Sequence, residues 1–438
     1  MKSFKKLLNI PLVDNIIQMI FNGAFSLVVG VFVNIFVVRY FTVEQYGVIS
    51  YICSYVAIFL VIADAGLENL CIREYSKHQY EKNEIIGSAL FVRVLLGLLS
   101  TFACIITIWL RTGDKLYLIY MIIYSSTILL RTGFVFRFYF QAHLMAKEYL
   151  KYDNVNILIN SIIKILFTFT SLDIGYYFVL LLIEPLCSSL IAYQVYKKKN
   201  NINIRLSRSL TRDYLCHGIP LTIGNLATIL YMKFDQIMVG DLIGKTELGL
   251  YSVAVSFSEL WFFVPTAICS SFYPKLSSVM EKANKEEVEL VYKIFFRILF
   301  DVSVVASLIF SIVSSYIICL FYGSSYFYSG FLVKIYIWSS IFVCLGVARN
   351  SYIVFHNYYI FSTISTSIAC VINIILNVIF LKMFGILGAA YSTIISYFVS
   401  AVLSSLFWKP MRRIGVCQFK AMFIPYVWIY RRKLSQLI

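Results

Sequence analysis

Charge is scarce in this 438-residue chain: Asp, Glu, Lys and Arg make up 14% of it, hydrophobic residues 60%, and the mean hydropathy is +0.81. So few charges cannot cover soluble domains of this length, and a soluble fold is excluded. Proline and glycine are also few, at 7 and 20, which excludes a disordered chain or a fibrous repeat. The ten cysteines stand singly without a CxxC pair, and His78, His143, His217 and His356 lack ligand spacing. Neither a disulfide framework nor a metal site is indicated. One Walker-like stretch, Gly240 to Gly244-Lys245-Thr246, is one residue short of a phosphate loop.

What the chain does have is long apolar runs. About 20 apolar residues cross a bilayer, and such runs lie at roughly 14–39, 46–66, 86–110, 116–138, 154–172, 176–196, 217–239, 248–272, 294–321, 331–350, 359–380 and 387–408. Lipid forces each backbone group to pair internally, and the runs are too long for barrel strands. The expected fold class is an all-α integral membrane protein of about twelve transmembrane helices. The short connections leave no room for a soluble catalytic domain, which argues against an enzyme or a bound cofactor.

Lys and Arg number 38 against 22 Asp and Glu, and their placement explains the excess. Alternate connections and the chain ends hold 25 of the cations; the opposite connections hold only Arg111, Lys115, Lys245 and Lys382. Cytoplasmic loops carry such an excess, so both termini are expected in the cytoplasm and no nucleic-acid partner is needed. The basic start MKSFKKLLNI reads as a retained anchor. The stretch AMFIPYVWIY (421–430) is too short to span and reads as an interfacial segment on anionic lipid.

The most basic internal connection divides the chain into an N-terminal six-helix lobe (1–196), a linker (197–216), a C-terminal six-helix lobe (217–408) and a basic tail (409–438). A shift of 202 residues lays Gly47 on Gly249, Ser50 on Ser252, Arg73 on Lys275 and Ser76 on Ser278. This weak, ordered repeat is parallel, because six helices precede its recurrence. It implies two lobes around a central cavity and transport by alternating access.

Nine cations fall within or at the ends of spans: Arg39, Arg93, Arg131, Arg137, Lys164, Lys233, Arg297, Lys334 and Arg349. Five acids accompany them: Asp64, Glu184, Asp235, Glu259 and Asp301. Charges at such depth face a cavity or a partner, and the cationic excess favours an anionic cargo. Arg39, Arg93, Arg137, Arg297, Lys334 and Arg349 lie near helix ends, where long side chains snorkel. Arg297 and Asp301 are spaced i, i+4 to pair. Lys164, Glu184, Lys233, Asp235 and Glu259 are nearest mid-membrane and are the leading site candidates. Pro185 follows Glu184 and Pro265 lies six residues after Glu259, so both helices are expected to bend near a carboxylate able to bind sodium or a proton.

Residues 38–77 contain Arg39, Tyr46-Gly47, Asp64-x-Gly66-Leu67 and Arg73-Glu74, and the last span opens on Gly385, Gly388, Ala389 and Ala390. With the twelve spans, this set resembles the polysaccharide (O-antigen) flippase family of the multidrug/oligosaccharidyl-lipid/polysaccharide exporter superfamily. The resemblance implies transport of an undecaprenyl-pyrophosphate-linked oligosaccharide from the inner to the outer leaflet of a bacterial inner membrane. On that reading Lys164, Lys233, Arg39, Arg93 and Arg297 bind pyrophosphate or sugar. Glu184, Asp235, Glu259 and Asp301 couple transport to H+ or Na+. Membrane lipids and a polysaccharide polymerase with its chain-length machinery are the implied partners, and no metal or cofactor is. The alternatives are a multidrug cation antiporter of similar fold, which would favour an acidic or neutral cavity, and a flippase for another lipid-linked envelope precursor.

Overall fold

The computed structural model describes residues 11–77, 79–111, 113–282 and 284–425, and over these it is helical with no strand. The chain enters on α1 (Pro11–Tyr40). Helix α2 (Val43–Asp64) starts on a capping box: the Thr42 hydroxyl accepts from the Gln45 N–H at 3.2 Å, and the Gln45 side-chain oxygen accepts from the Thr42 N–H at 3.1 Å. It stops at Ala65 and Gly66, both left-handed (φ +48° and +61°), which turn the chain into α3 (Leu67–Lys77). Helix α4 (Lys82–Arg111) follows.

The fourth apolar run, expected as one helix, is divided into α5 (Lys115–Ser125), α6 (Thr127–Leu130), a 3-10 turn (Arg131–Phe134) and α7 (Val135–Ala142). At the first division the hydroxyls of Ser125, Ser126 and Thr127 donate to the carbonyls of Ile122, Ile123 and Tyr124, at 3.2, 2.6 and 2.7 Å. These bonds compete with the helical ladder. Helices α8 (Lys147–Phe167) and α9 (Ile174–Lys199) follow, and α9 continues unbroken through Pro185.

Helices α10 (Arg208–Leu242) and α11 (Lys245–Glu259) come next. Directly after Glu259 a 3-10 turn, Leu260–Phe262, leads into α12 (Phe263–Lys282). Pro265 has no N–H for the carbonyl of Trp261 four residues back, and its ring crowds that carbonyl, so the ladder changes where the sequence placed a bend. The remainder is α13 (Lys285–Tyr322), α14 (Phe327–Tyr336), α15 (Ser339–Phe355), α16 (Tyr359–Phe384), α17 (Ile386–Phe398), a π turn (Val399–Leu403), α18 (Ser404–Phe407) and α19 (Lys409–Phe423).

Among the described residues ten helices are long and apolar enough to cross a membrane, and Ser324–Tyr336 with Ser339–Phe355, bent by 48°, supplies an eleventh. Helix α8 occupies the remaining run and is more polar, because it carries Asp153, Asn154, Asn156, Asn160 and Lys164. The protein is therefore a multi-pass, all-α membrane protein.

The chain forms two compact units, residues 1–45 with 51–229 and residues 46–50 with 230–438. The division falls inside α10. The stretch read from sequence as a linker, 197–216, is largely helical, with only 200–207 between α9 and α10. Leu210 and Tyr214 are fully buried in the first unit's core with Leu67, Ile85 and Phe140. That burial ties the start of α10 to the first unit. The second unit's core gathers Phe296, Leu345, Val402 and Ile414. The basic residues of the N-terminus and the second half of 421–430 lie outside the described residues; α19 reaches Phe423, which is exposed.

Candidate functional site

Polar clusters form separately in the two units. In the first, α1 lies along α8: the Asn22 amide donates to the Asn154 side-chain oxygen at 2.6 Å, and the Tyr40 hydroxyl donates to the carbonyls of Thr170 and Leu172, each at 2.8 Å. Between these clamps α1, α8 and α9 enclose a cavity of about 300 Å³ whose lining includes Gly30, Asn34, Ser161, Lys164, Tyr177 and Glu184. Lys164 Nζ meets Glu184 Oε2 at 2.5 Å; the lysine side chain is 15% exposed and the carboxylate 36%. The pair is reachable from the cavity yet largely removed from bulk solvent, so its charges keep more of their strength than on a surface.

Below it runs a hydrogen-bonded ladder. Asn160 donates to the Asn156 carbonyl and side-chain oxygens, at 2.9 and 2.7 Å. Asn156 donates to Ser188 at 3.0 Å and to the Glu184 carbonyl at 3.2 Å, and Ser188 donates to Asp153 at 2.6 Å. Residues 153, 156, 160 and 164 share a helix face by period. The first three are not among the charges and sites evident from sequence, where Asp153 falls in the connection before the fifth apolar run; it lies inside α8. Their signal was polar residues at helical spacing in an otherwise apolar run.

The second unit repeats the ladder: Asn377 donates to the Asn373 carbonyl and side-chain oxygens, both at 3.0 Å, and receives the Ser392 hydroxyl at 2.8 Å. One turn beyond the second asparagine stands Lys164 in the first unit and buried Leu381 in the second. The asparagine ladder therefore forms without an ion pair, which makes Lys164–Glu184 an addition to the packing motif rather than a requirement of it.

The second unit's own charged groups are Lys233, Asp235 and Glu259. Asp235 is 2% exposed; its carboxylate accepts the Tyr251 hydroxyl at 2.6 Å, the Gln236 N–H at 2.7 Å and the Thr393 hydroxyl at 3.5 Å. Among the described residues it has no ion-pair partner within 4 Å. Among the described residues Glu259 Oε1 is buried without a hydrogen bond, as are Trp261 Nε1 and the Tyr231 hydroxyl. Lys233 lies within electrostatic reach of both carboxylates. Buried carboxylates lacking a direct counter-charge are suited to take up a proton or a small cation. Tyr251 and Thr393 were not singled out from sequence, because their types are common in apolar runs.

The other candidates are engaged elsewhere. Arg39 is exposed in the last turn of α1. Arg93 is ion-paired with Asp64 and only 5% exposed, so it is buried rather than snorkelling. Arg297 grips Asp301 at 2.8 and 3.0 Å, as their spacing indicated, and also donates to the carbonyls of Ala421 and Met422 at 3.3 and 3.4 Å. This pair caps the end of α19 and joins neither polar cluster. Arg349, expected near a membrane surface, is 4% exposed. It donates to the Ser400 and Ala401 carbonyls and to the Ser404 and Ser405 hydroxyls, at 2.7 to 3.2 Å. A π turn displaces carbonyls from the helical ladder, and the guanidinium satisfies two of them.

Comparisons with known proteins bear on this arrangement. A family model described as polysaccharide biosynthesis protein matches residues 12–280, and one described as MatE matches residues 220–379. A Haloferax volcanii protein named "Probable flippase AglR" is 29% identical over 187 residues, which is 41% of this chain and 38% of that protein. The match thus spans about two-fifths of that curated relative. Among solved structures the fold is similar to the lipid II flippase MurJ in an inward closed conformation (TM-score 0.68, 16% identity, 95% of this chain and 93% of that one). It is similar also to an inward-facing multidrug resistance transporter of the MATE family (TM-score 0.68, 16% identity, 96% and 95%). At such identity the likeness is one of fold.

Proposed function

Since the chain belongs to the polysaccharide biosynthesis protein family, we propose that it is a flippase, not an enzyme, and carries a lipid-linked oligosaccharide across a membrane. In its finer form the proposal is an undecaprenyl-pyrophosphate-linked repeat unit, of O-antigen type, moved from the cytoplasmic to the outer leaflet of a bacterial inner membrane. Alternating access is the mechanism, with both termini cytoplasmic and with a polymerase and chain-length machinery taking the product.

The observation that carries this reading is the Lys164–Glu184 pair in its polar cavity, in a ladder that the second unit forms without one. An anionic headgroup offers Lys164 a second partner, and exchange of Glu184 for phosphate keeps the lysine paired while loosening the α8–α9 contact; the released carboxylate, 36% exposed, is open to hydration or a proton. Asp235, with Glu259 and Lys233 nearby, is the proposed coupling centre for H+ or Na+. A cation entering there offsets the cost of a buried carboxylate and can bias the second unit between states.

The test is deletion of the gene in its host and complementation. Loss of surface glycan, with lipid-linked oligosaccharide accumulating on the cytoplasmic leaflet, is expected; wild-type protein restores export, and Lys164→Met and Asp235→Asn do not. The second reading, a multidrug antiporter, draws on the MatE match over 220–379 and on the second unit's carboxylates. Normal surface glycan with altered sensitivity to cationic drugs would establish it in place of the first.

A further inference from the structure

Helices α8 and α9 carry another concavity, which Asn156 and Asn160 of the ladder help to line and which Lys164 and Glu184 do not. It is an open trough of about 580 Å³ whose walls include Tyr152, Ile159 and Ile163 of α8 and Ile183, Leu190 and Lys198 of α9. The two helices are antiparallel along it: Tyr152 shares one end with Lys198, and Ile163 shares the other with Ile183. From Tyr152 to Ile163 the trough runs about 16 Å at the rise of an α-helix, close to the hydrocarbon depth of one leaflet, about 15 Å.

Its ends differ in chemistry. The deep part is mostly aliphatic, with Asn160 and Cys187 also in its lining, and Ile159 and Leu190 are about half exposed. The end near the first turns of α8 carries Lys198 and Lys151, both exposed, with Lys151 Nζ 4.7 Å above the Tyr152 ring. The adjacent Lys199 is held by Glu148, whereas Lys151 and Lys198 have no ion pair among the described residues. A lysine mouth above an apolar trough one leaflet deep complements a lipid with a phosphate at the interface and hydrocarbon beneath it. A single trough between two helices seats one chain, which suits a polyprenyl phosphate better than a two-chain phospholipid.

We propose that the α8–α9 trough seats the polyprenyl chain of the phosphate-linked carrier in the cytoplasmic leaflet, with its phosphate against Lys198 and Lys151. This inference rests on the flippase reading and adds to it the place where the cargo docks before entry. The trough and the Lys164–Glu184 cavity share the same two helices, so a docked carrier lies beside the transport cavity.

The experiment is photolabelling of the full-length protein in proteoliposomes, using a polyprenyl phosphate with a diazirine on its chain and, in parallel, a diazirine-bearing phosphatidic acid. Labelling by the polyprenyl phosphate is expected in peptides from 147–167 and 174–199 and should be competed by unlabelled polyprenyl phosphate. Leu190→Trp, which fills the trough, and Lys151→Glu with Lys198→Glu, which reverses the mouth, should each lower it about tenfold, equivalent to about 1.4 kcal/mol. Unchanged labelling in folded forms of both variants overturns the trough, and failure of competition does so without any variant. Equal labelling by phosphatidic acid overturns the choice of chain. Lys164→Met separates the two claims: if it transports normally while trough labelling persists, the flippase cavity fails and the docking trough stands.

Discussion

Lys164 and Glu184 offer the sharpest separation of stability from transport. Removing one member of a fully buried pair costs about 3–5 kcal/mol because the other charge is stranded. The Glu184 side chain is 36% exposed, and solvent screening brings the expected cost of Lys164→Met or Glu184→Gln to roughly 1–2 kcal/mol. The double variant strands neither charge, so about 0.5–2 kcal/mol of that loss should return as coupling between the sites. Thermal unfolding of the four proteins in detergent supplies the cycle, and export of lipid-linked oligosaccharide supplies the functional axis. The anion-holding role expects the double variant to regain stability while transport stays about tenfold or more below wild type, which corresponds to about 1.4 kcal/mol. A stable double variant that transports at the wild-type rate would refute the argument, and the pair would then serve packing alone.

Three further outcomes follow from particular residues. A Cβ on Gly30, in the lining of the first unit's cavity, meets nothing within 4 Å. Gly30→Ala should therefore raise thermal stability by up to about 1 kcal/mol, and Gly30→Leu and Gly30→Trp should lower export progressively while folding; wild-type export by the Trp variant would exclude this cavity from the path. Arg349 Nη1 faces four acceptors in and beside the π turn, so Arg349→Met, which removes the donor and leaves buried acceptors unpaired, should cost about 2–4 kcal/mol; an unfolding midpoint within error of wild type would contradict that. His356, in the turn between α15 and α16, has its pKa lowered from 6.5 by burial against Tyr352 and Tyr358. The unfolded chain then binds the proton more readily, so the contribution is present above pH 6.5 and lost as pH falls through 6.5 toward the lower folded value. His356→Phe should flatten that part of the stability profile, and an unaltered slope would discount the histidine.

Much of the architecture was legible because insertion depends on the composition of each segment by itself. An apolar run of sufficient length is favoured in lipid whatever its neighbours do, and the helices occupy all twelve runs. Breaks inside the runs were less legible. Pro265 announced the change after Glu259, but the division at Ser125, Ser126 and Thr127 depends on hydroxyls choosing local carbonyls, and the same residue types also occur in continuous helices.

By itself, then, the sequence determined a polytopic α-helical membrane protein, the positions of its apolar segments, a cationic excess within them, and local pairings such as Arg297 with Asp301, which one helix enforces through its 3.6-residue period. Only the tertiary structure decided that Lys164 meets Glu184, that Arg93 meets Asp64, that Arg349 is buried at a π turn, and that Leu210 and Tyr214 belong to the first unit's core. The reason is rotational and positional. Segment composition sets whether a helix enters the membrane, whereas the face each charge presents, and the group opposite it, follow from how neighbouring helices pack.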